Sequence, residues 1–223
     1  DSFQLLYLSK LIFAKPVTLS DCNPGNLRTA SPGCEYLIIT HPNFYNAIMP
    51  LADYRSQDYL TKVIRVDDIY DDFSYGKYDP LAIKHFLYYT TNNWTTMPTY
   101  VLFVGDATYD YKNNLAKQNQ PNFIPMYERG STLSGNPGIP PGSNVIYEGE
   151  YVNFDGTGES MILGRITVCN NKEVRDFIEK LTTYETQNID GMWNKRIILA
   201  GDDEYGTGWE HPSVHCGACQ SVI

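Results

Sequence analysis

Tyr36-Leu37-Ile38-Ile39-Thr40 is a nearly continuous apolar run of strand length, and Tyr100-Val101-Leu102-Phe103-Val104 repeats its character further along the chain. Short apolar runs of this kind read as strands buried on both faces, the condition of strands in parallel sheets. Between the two runs, Phe44, Ile48, Leu51, Ala52 and Tyr54 recur at near-helical spacing, and Val63-Ile64-Arg65-Val66 reads as another strand. Asp79-Pro80 opens a helix, because Asp accepts from the free N–H groups of the first turn and Pro has no N–H to waste there. Leu81, Ile83, Phe86, Leu87 and Tyr89 form its apolar face. Strand, helix, strand, helix, strand at this spacing implies right-handed crossovers and a parallel sheet.

Working outward, residues 107–145 are rich in Asn, Gly, Pro and Ser and read as one long loop. Met161 to Ile166 is a fourth strand. Lys172 to Tyr184 is a helix with Val174, Phe177, Ile178 and Leu181 on one face, and Arg196 to Ala200 is a last strand. Upstream, residues 3–14 cluster apolar side chains as strand material, and residues 22–34 form a connecting loop. The expected sheet has strands near 36–40, 62–67, 100–104 and 161–166, with helices near 44–56 and 79–92. The expected organisation is a strand and linker segment over 1–34, an α/β subdomain over 35–190, and the truncated start of a second subdomain over 191–223.

Hydrophobic residues make up 42% of the 223 positions, enough for a sizeable core. A net charge of −9 disfavours nucleic acid and anionic membranes, since both need a basic face. No apolar run approaches the roughly 20 residues that span a bilayer. Asp1-Ser2-Phe3 lacks the basic and apolar regions of a signal peptide, so the expectation is a removed leader or an internal piece of a longer chain. The 18 tyrosines suit half-buried positions on strands and helices, or an extracellular binding surface. Of five cysteines, Cys22 and Cys34 flank a Pro/Gly loop; they are either a disulfide of an exported protein or unconnected thiols.

Four strings occur in order. Glu35 to Pro42 is followed by Leu51-Ala52-Asp53-Tyr54-Arg55. Ile69 to Gly76 is followed by Asp79 to Lys84. Tyr100 to Val104 runs into Gly105-Asp106-Ala107-Thr108-Tyr109-Asp110-Tyr111. Leu163-Gly164-Arg165-Ile166 precedes a helix ending at Tyr184-Glu185. Together, over residues 35–205, they resemble the gingipain family of cysteine peptidases, including its signal-peptidase relatives of type IX secretion. The resemblance implies an α/β fold, a caspase-like parallel sheet flanked by helices, with the first subdomain complete and the second only begun. It implies a secreted or cell-surface location. It places the catalytic Cys and His in the second subdomain, the His in a His-Gly pair. This sequence contains no His-Gly pair, so the resemblance puts the dyad beyond Ile223.

The implied function is part of an exported cysteine endopeptidase working by acyl transfer, with a protein or peptide substrate and the remainder of the parent chain as partners, and this chain alone inactive. A non-catalytic scaffold of the same fold is the alternative. The resemblance also marks Asp202, past the last strand, as the carboxylate that orients the catalytic His; a solvated acidic turn of Asp202 and Asp203 is the plainer reading.

Other candidates are weighed on their chemistry. Cys219, behind Ala218 and near His215, superficially has the look of a nucleophile, but no apolar strand precedes it. His211, His215, Cys216 and Cys219 are crowded for structural zinc, which draws ligands from two separated pairs. Asp106 and Asp110, beyond a parallel strand, are either calcium ligands or turn caps. No other cofactor is called for. Asp67, Asp68, Asp71 and Asp72 read as a solvated acidic loop, and Arg165 as half of a structural ion pair. Thr40-His41-Pro42-Asn43 carries no Gly-rich phosphate loop, which argues against a nucleotide-binding domain.

Overall fold

The computed structural model describes residues 26–29, 31–108, 122–130 and 144–187, together with Gly191 and Arg196. Its centre is a four-stranded parallel sheet in the order β3-β2-β5-β8, formed by β2 (Tyr36–Thr40), β3 (Thr61–Arg65), β5 (Tyr100–Val104) and β8 (Ile162–Ile166). The strands pair in step, so Arg65, Thr40, Val104 and Ile166 form one row at their carboxyl ends. Period-two alternation sends Leu37 and Ile39 to one face of β2 and Ile38 to the other.

Each face is covered by helices. On one side Ile38 and Val104 meet Phe44, Ile48, Leu51 and Ala52 at α1 (Tyr45–Arg55) and Val174 and Ile178 of α4 (Asn171–Thr186). On the other, Leu37, Ile39, Val101 and Phe103 meet α2 (Val66–Ser74) and α3 (Pro80–Asn93). This is the caspase-like α/β layering expected. Asp79 caps α3 as its sequence implies, with Oδ1 accepting from the Leu81 N–H at 3.0 Å.

Three readings are corrected. Residues 66–74 form α2 rather than a loop: Val66, Ile69 and Tyr70 are buried, and the four aspartates lie on the remaining surface. Asp67 and Asp68 sit in the first turn, where the helix dipole favours anions. Asp72 reaches back to accept from the Leu27 N–H at 2.6 Å. Leu81, counted on the apolar face of α3, is 44% exposed. The supposed loop over 107–145 contains the antiparallel pair β6 (Glu128–Gly130) and β7 (Asn144–Ile146), followed by a 3-10 turn, Glu148–Tyr151. A further parallel pair, β1 (Ser31–Gly33) with β4 (Trp94–Thr96), lies apart from the main sheet. The Cys34 thiol is free and fully buried, and Cys22 lies outside the described residues.

The elements through Leu181 belong to one compact unit, and a second begins at Thr182. No helix among the described residues is long and apolar enough to cross a membrane. The segments read as strands near 3–14 and 196–200 lie outside the described residues, apart from Arg196.

Candidate functional site

Parallel strands aim all their carboxyl ends at one rim, and ligand sites of open α/β sheets gather where neighbouring strands send their connections to opposite faces. Here that point falls between β2 and β5. The chain leaves β2 toward α1 on one face. Beyond β5 it places Ile124 and Tyr151 in the core of the other face.

His41 follows β2. Its Nδ1 accepts from the Asn43 N–H at 3.2 Å, which puts the proton of the neutral ring on Nε2. The ring stands edge-on to Phe123, centroids 5.0 Å apart, and against Phe44 at 6.0 Å. Burial lowers the His41 pKa below its ordinary value, and the charge of Asp67 opposes that shift. Burial raises Asp67 in turn, with His41 lowering it. Phe123 also packs on Phe44 at 4.6 Å, so its ring fills the crevice at the switch point.

Asp106 follows β5. Its Oδ1 accepts from the Ala107 N–H at 2.8 Å, and its Oδ2 lies 3.6 Å from the Cys169 Sγ. Its backbone N–H donates to Val168, and its carbonyl accepts from Phe123, each at 3.0 Å. Gly105 makes this exit possible. Its φ is +143°, and a Cβ there would stand 2.6 Å from the Cβ of Phe123.

Cys169 follows β8 and is exposed. Its N–H donates to Glu173 at 2.7 Å, while Asn170 Oδ1 accepts from the Lys172 and Glu173 N–H groups at 3.0 Å, a reciprocal cap that starts α4. The thiol pKa is raised, by burial first and then by the Asp106 charge. Cys34 is pushed up to about 12, chiefly by burial. Neither thiol is held as the thiolate that nucleophilic attack requires.

Behind the rim, Arg165 ties three segments together. Its Nε and Nη2 grip Glu148 at 2.6 to 3.0 Å. Nη1 donates to the carbonyls of Gly105 at 2.9 Å and Ile124 at 2.8 Å, and Nη2 to that of Pro125 at 3.0 Å. The guanidinium carbon lies 5.2 Å from the Phe103 ring centroid. This is the ion pair read from sequence, with a carboxylate partner that the sequence did not name.

Asp106 thus sits on the rim, its carboxylate oxygens engaged by a turn N–H and by a thiol. Asp110, Asp202, His211, His215, Cys216 and Cys219 lie outside the described residues. Among the described residues, no group of three or more His, Cys, Asp or Glu is placed to hold a metal ion. His41 and Cys169 were not singled out from sequence as site residues, and Asp67 was read only as part of a solvated acidic loop. Each lies within three residues of the carboxyl end of a strand, which is the signal that would have found them.

The family model for peptidase family C25 matches residues 29–221. Among solved structures, the chain is similar to the crystal structure of dimeric latent PorU from Porphyromonas gingivalis, with a TM-score of 0.59 and 16% identity, covering 77% of this chain and 17% of that one. A second structure, described as that of a protease, superposes with a TM-score of 0.48 and 18% identity, covering 73% of this chain and 30% of that one. No curated protein matches.

Proposed function

The chain belongs to peptidase family C25, the gingipain family of cysteine peptidases, and on that premise we propose that it supplies the first subdomain of an exported cysteine endopeptidase. The observation that carries this reading is the family match over residues 29–221, on a parallel sheet of the kind that places ligands past the carboxyl ends of its strands. A Cys thiolate attacks the scissile carbonyl carbon, and a His delivers the proton on which the amine departs as the C–N bond breaks. Water then hydrolyses the thioester and restores the thiol. The dyad lies outside residues 1–223, where the family pattern puts it, since this sequence has no His-Gly pair. Asp202 orients the His, fixing its tautomer and stabilising the imidazolium. The substrate is a polypeptide.

The test uses the complete parent protein and an irreversible thiol-directed peptidase inhibitor. A single modified cysteine outside residues 1–223 is expected. Modification of Cys219 would overturn the placement, and no modification at all would identify a non-catalytic module of the same fold. Asp202→Asn keeps the shape and removes the charge. It is expected to lower turnover about tenfold or more, as loss of support for an acid–base group does, at an unchanged melting temperature.

A further inference from the structure

His41 is at once the cap of a turn and a wall of the crevice at the switch point. Its Nδ1 accepts from the Asn43 N–H and so caps the 3-10 turn Pro42–Phe44 that leads into α1. Its backbone N–H donates to the Val104 carbonyl at 3.3 Å, which ties the residue to the ends of both β2 and β5. Its ring touches Phe44 and Phe123, and these two rings meet each other at 4.6 Å.

Residues 122–125 are held unequally. Arg165 grips the carbonyls of Ile124 and Pro125, and Ile124 is fully buried in the core of the opposite face. Phe123 rests on its N–H bond to the Asp106 carbonyl at 3.0 Å and on the rings of His41 and Phe44. Asn122 exchanges longer bonds with Thr108, at 3.2 and 3.4 Å.

The neutral His41 ring carries its proton on Nε2, so an added proton goes to Nδ1. The acceptor of the cap then becomes a donor facing a second donor, the Asn43 N–H. The bond is lost, and the imidazolium is driven toward water and away from the apolar rings. Asp67 of α2 faces the ring and is itself under the influence of Arg65, Asp68 and Asp71. Tyr45 of α1 acts on Arg65. Beyond Val104, Asp106 is engaged by the Ala107 N–H and the Cys169 thiol. Residues 122–125 bring no titratable side chain. Asp67 favours the imidazolium, and burial opposes it more strongly.

We propose that His41 is a pH-operated latch: neutral, it holds Phe123 in the crevice between β2 and β5; protonated, it releases Phe123, with Ile124 as the hinge. Open α/β sheets place ligands at this crevice, so mild acid uncovers a ligand position that neutral pH keeps filled. The latch is built within the described unit and is independent of the peptidase chemistry proposed above.

The test is amide hydrogen exchange, read by nuclear magnetic resonance on the unaltered 223-residue chain between about pH 7.5 and pH 5. Each rate is corrected for the intrinsic pH dependence of exchange, and the His41 ring nitrogens are followed in the same samples. Protection of the Asn43 and Phe123 amides is expected to fall about fivefold or more, as loss of one capping bond allows. The fall begins near pH 6.5 and levels once the ring is charged, while Ile39 and Phe103 in the strands keep their protection. His41→Asn supplies a capping oxygen that does not titrate, and protection of its Asn43 and Phe123 amides is expected to be indifferent to pH. The His41 ring is assigned through its own backbone, so the wild-type series decides the outcome even where the variant folds poorly. Unchanged protection of Phe123 while the ring titrates would overturn the proposal. So would loss at Ile39 and Phe103 in step with Phe123, which is unfolding of the whole sheet, or the same pH dependence in His41→Asn.

Discussion

Arg165 has six hydrogen-bond contacts, of which three go to main-chain carbonyls and three to the Glu148 carboxylate. Only the flat guanidinium fork can face both sets at once, and a lysine ammonium in its place would leave carbonyls unmet. Arg165→Lys is therefore expected to destabilise the chain by about 2 kcal/mol or more, since each group left buried and unpaired costs about 1–3. A urea midpoint equal to the wild type would show that the carbonyls are solvated. His41 makes a pH-dependent contribution of known sign. In the unfolded chain it protonates near 6.5, while burial lowers its folded value. The unfolded state therefore takes up the proton first, and stability falls as pH drops from about 6.5 through the folded value, levelling below it. Asp67, raised above 3.8 by burial, acts oppositely and lower: stability rises as pH falls through its folded value toward 3.8. His41→Asn should flatten the loss of stability between neutral pH and pH 5, with the slope compared by urea denaturation. A steeper loss in the variant would reverse the assignment.

Among the elements, α2 shows how a helix hides in plain composition. Val66, Ile69, Tyr70 and Phe73 stand at i, i+3, i+4 and i+7, the spacing of an apolar stripe, yet the four aspartates between them suggested a loop. Its end is costly. Tyr75 closes it in the left-handed region, at φ +57° and ψ +43°, with its side chain 97% exposed. That conformation strains a residue with a Cβ and suits glycine. Tyr75→Gly is expected to stabilise the chain by up to about 1 kcal/mol, with the relieved strain partly offset by the freer unfolded chain. An unchanged or lower urea midpoint would refute it. The four long strands and α3 were legible because burial on two faces and an Asp-Pro start leave marks in local sequence. The pairs β1 with β4 and β6 with β7 were not, because three-residue strands are defined by backbone partners distant in the chain. The candidate site was legible only as a direction, past the strand ends. Arg165 was visible as a charge beside an apolar strand, but Glu148 comes from a turn whose position no local pattern fixes.

At the scale of the whole molecule, the two described thiols report on different events. Cys34 is fully buried in the cluster that joins Leu37 and Ile39 of β2 to α2, α3 and Trp94 of β4. Burial pushes its pKa up to about 12, so it is poorly nucleophilic for as long as the surrounding packing holds. Cys169 is exposed on the rim, slowed only by its raised pKa and by Asp106. A thiol reagent at mildly alkaline pH should therefore modify Cys169 steadily under native conditions while Cys34 stays intact. Added urea should raise the Cys34 rate in parallel with global unfolding, because its cluster joins the sheet to both α2 and α3. The measurement is peptide-resolved mass spectrometry over a urea series. If Cys34 reacts well before the global transition, then β1 and β4 open as a separate unit and the core on that face is less cooperative than its packing implies. If both thiols wait for unfolding, the Asp106 contact shields Cys169 far more than a 3.6 Å approach at an exposed rim accounts for.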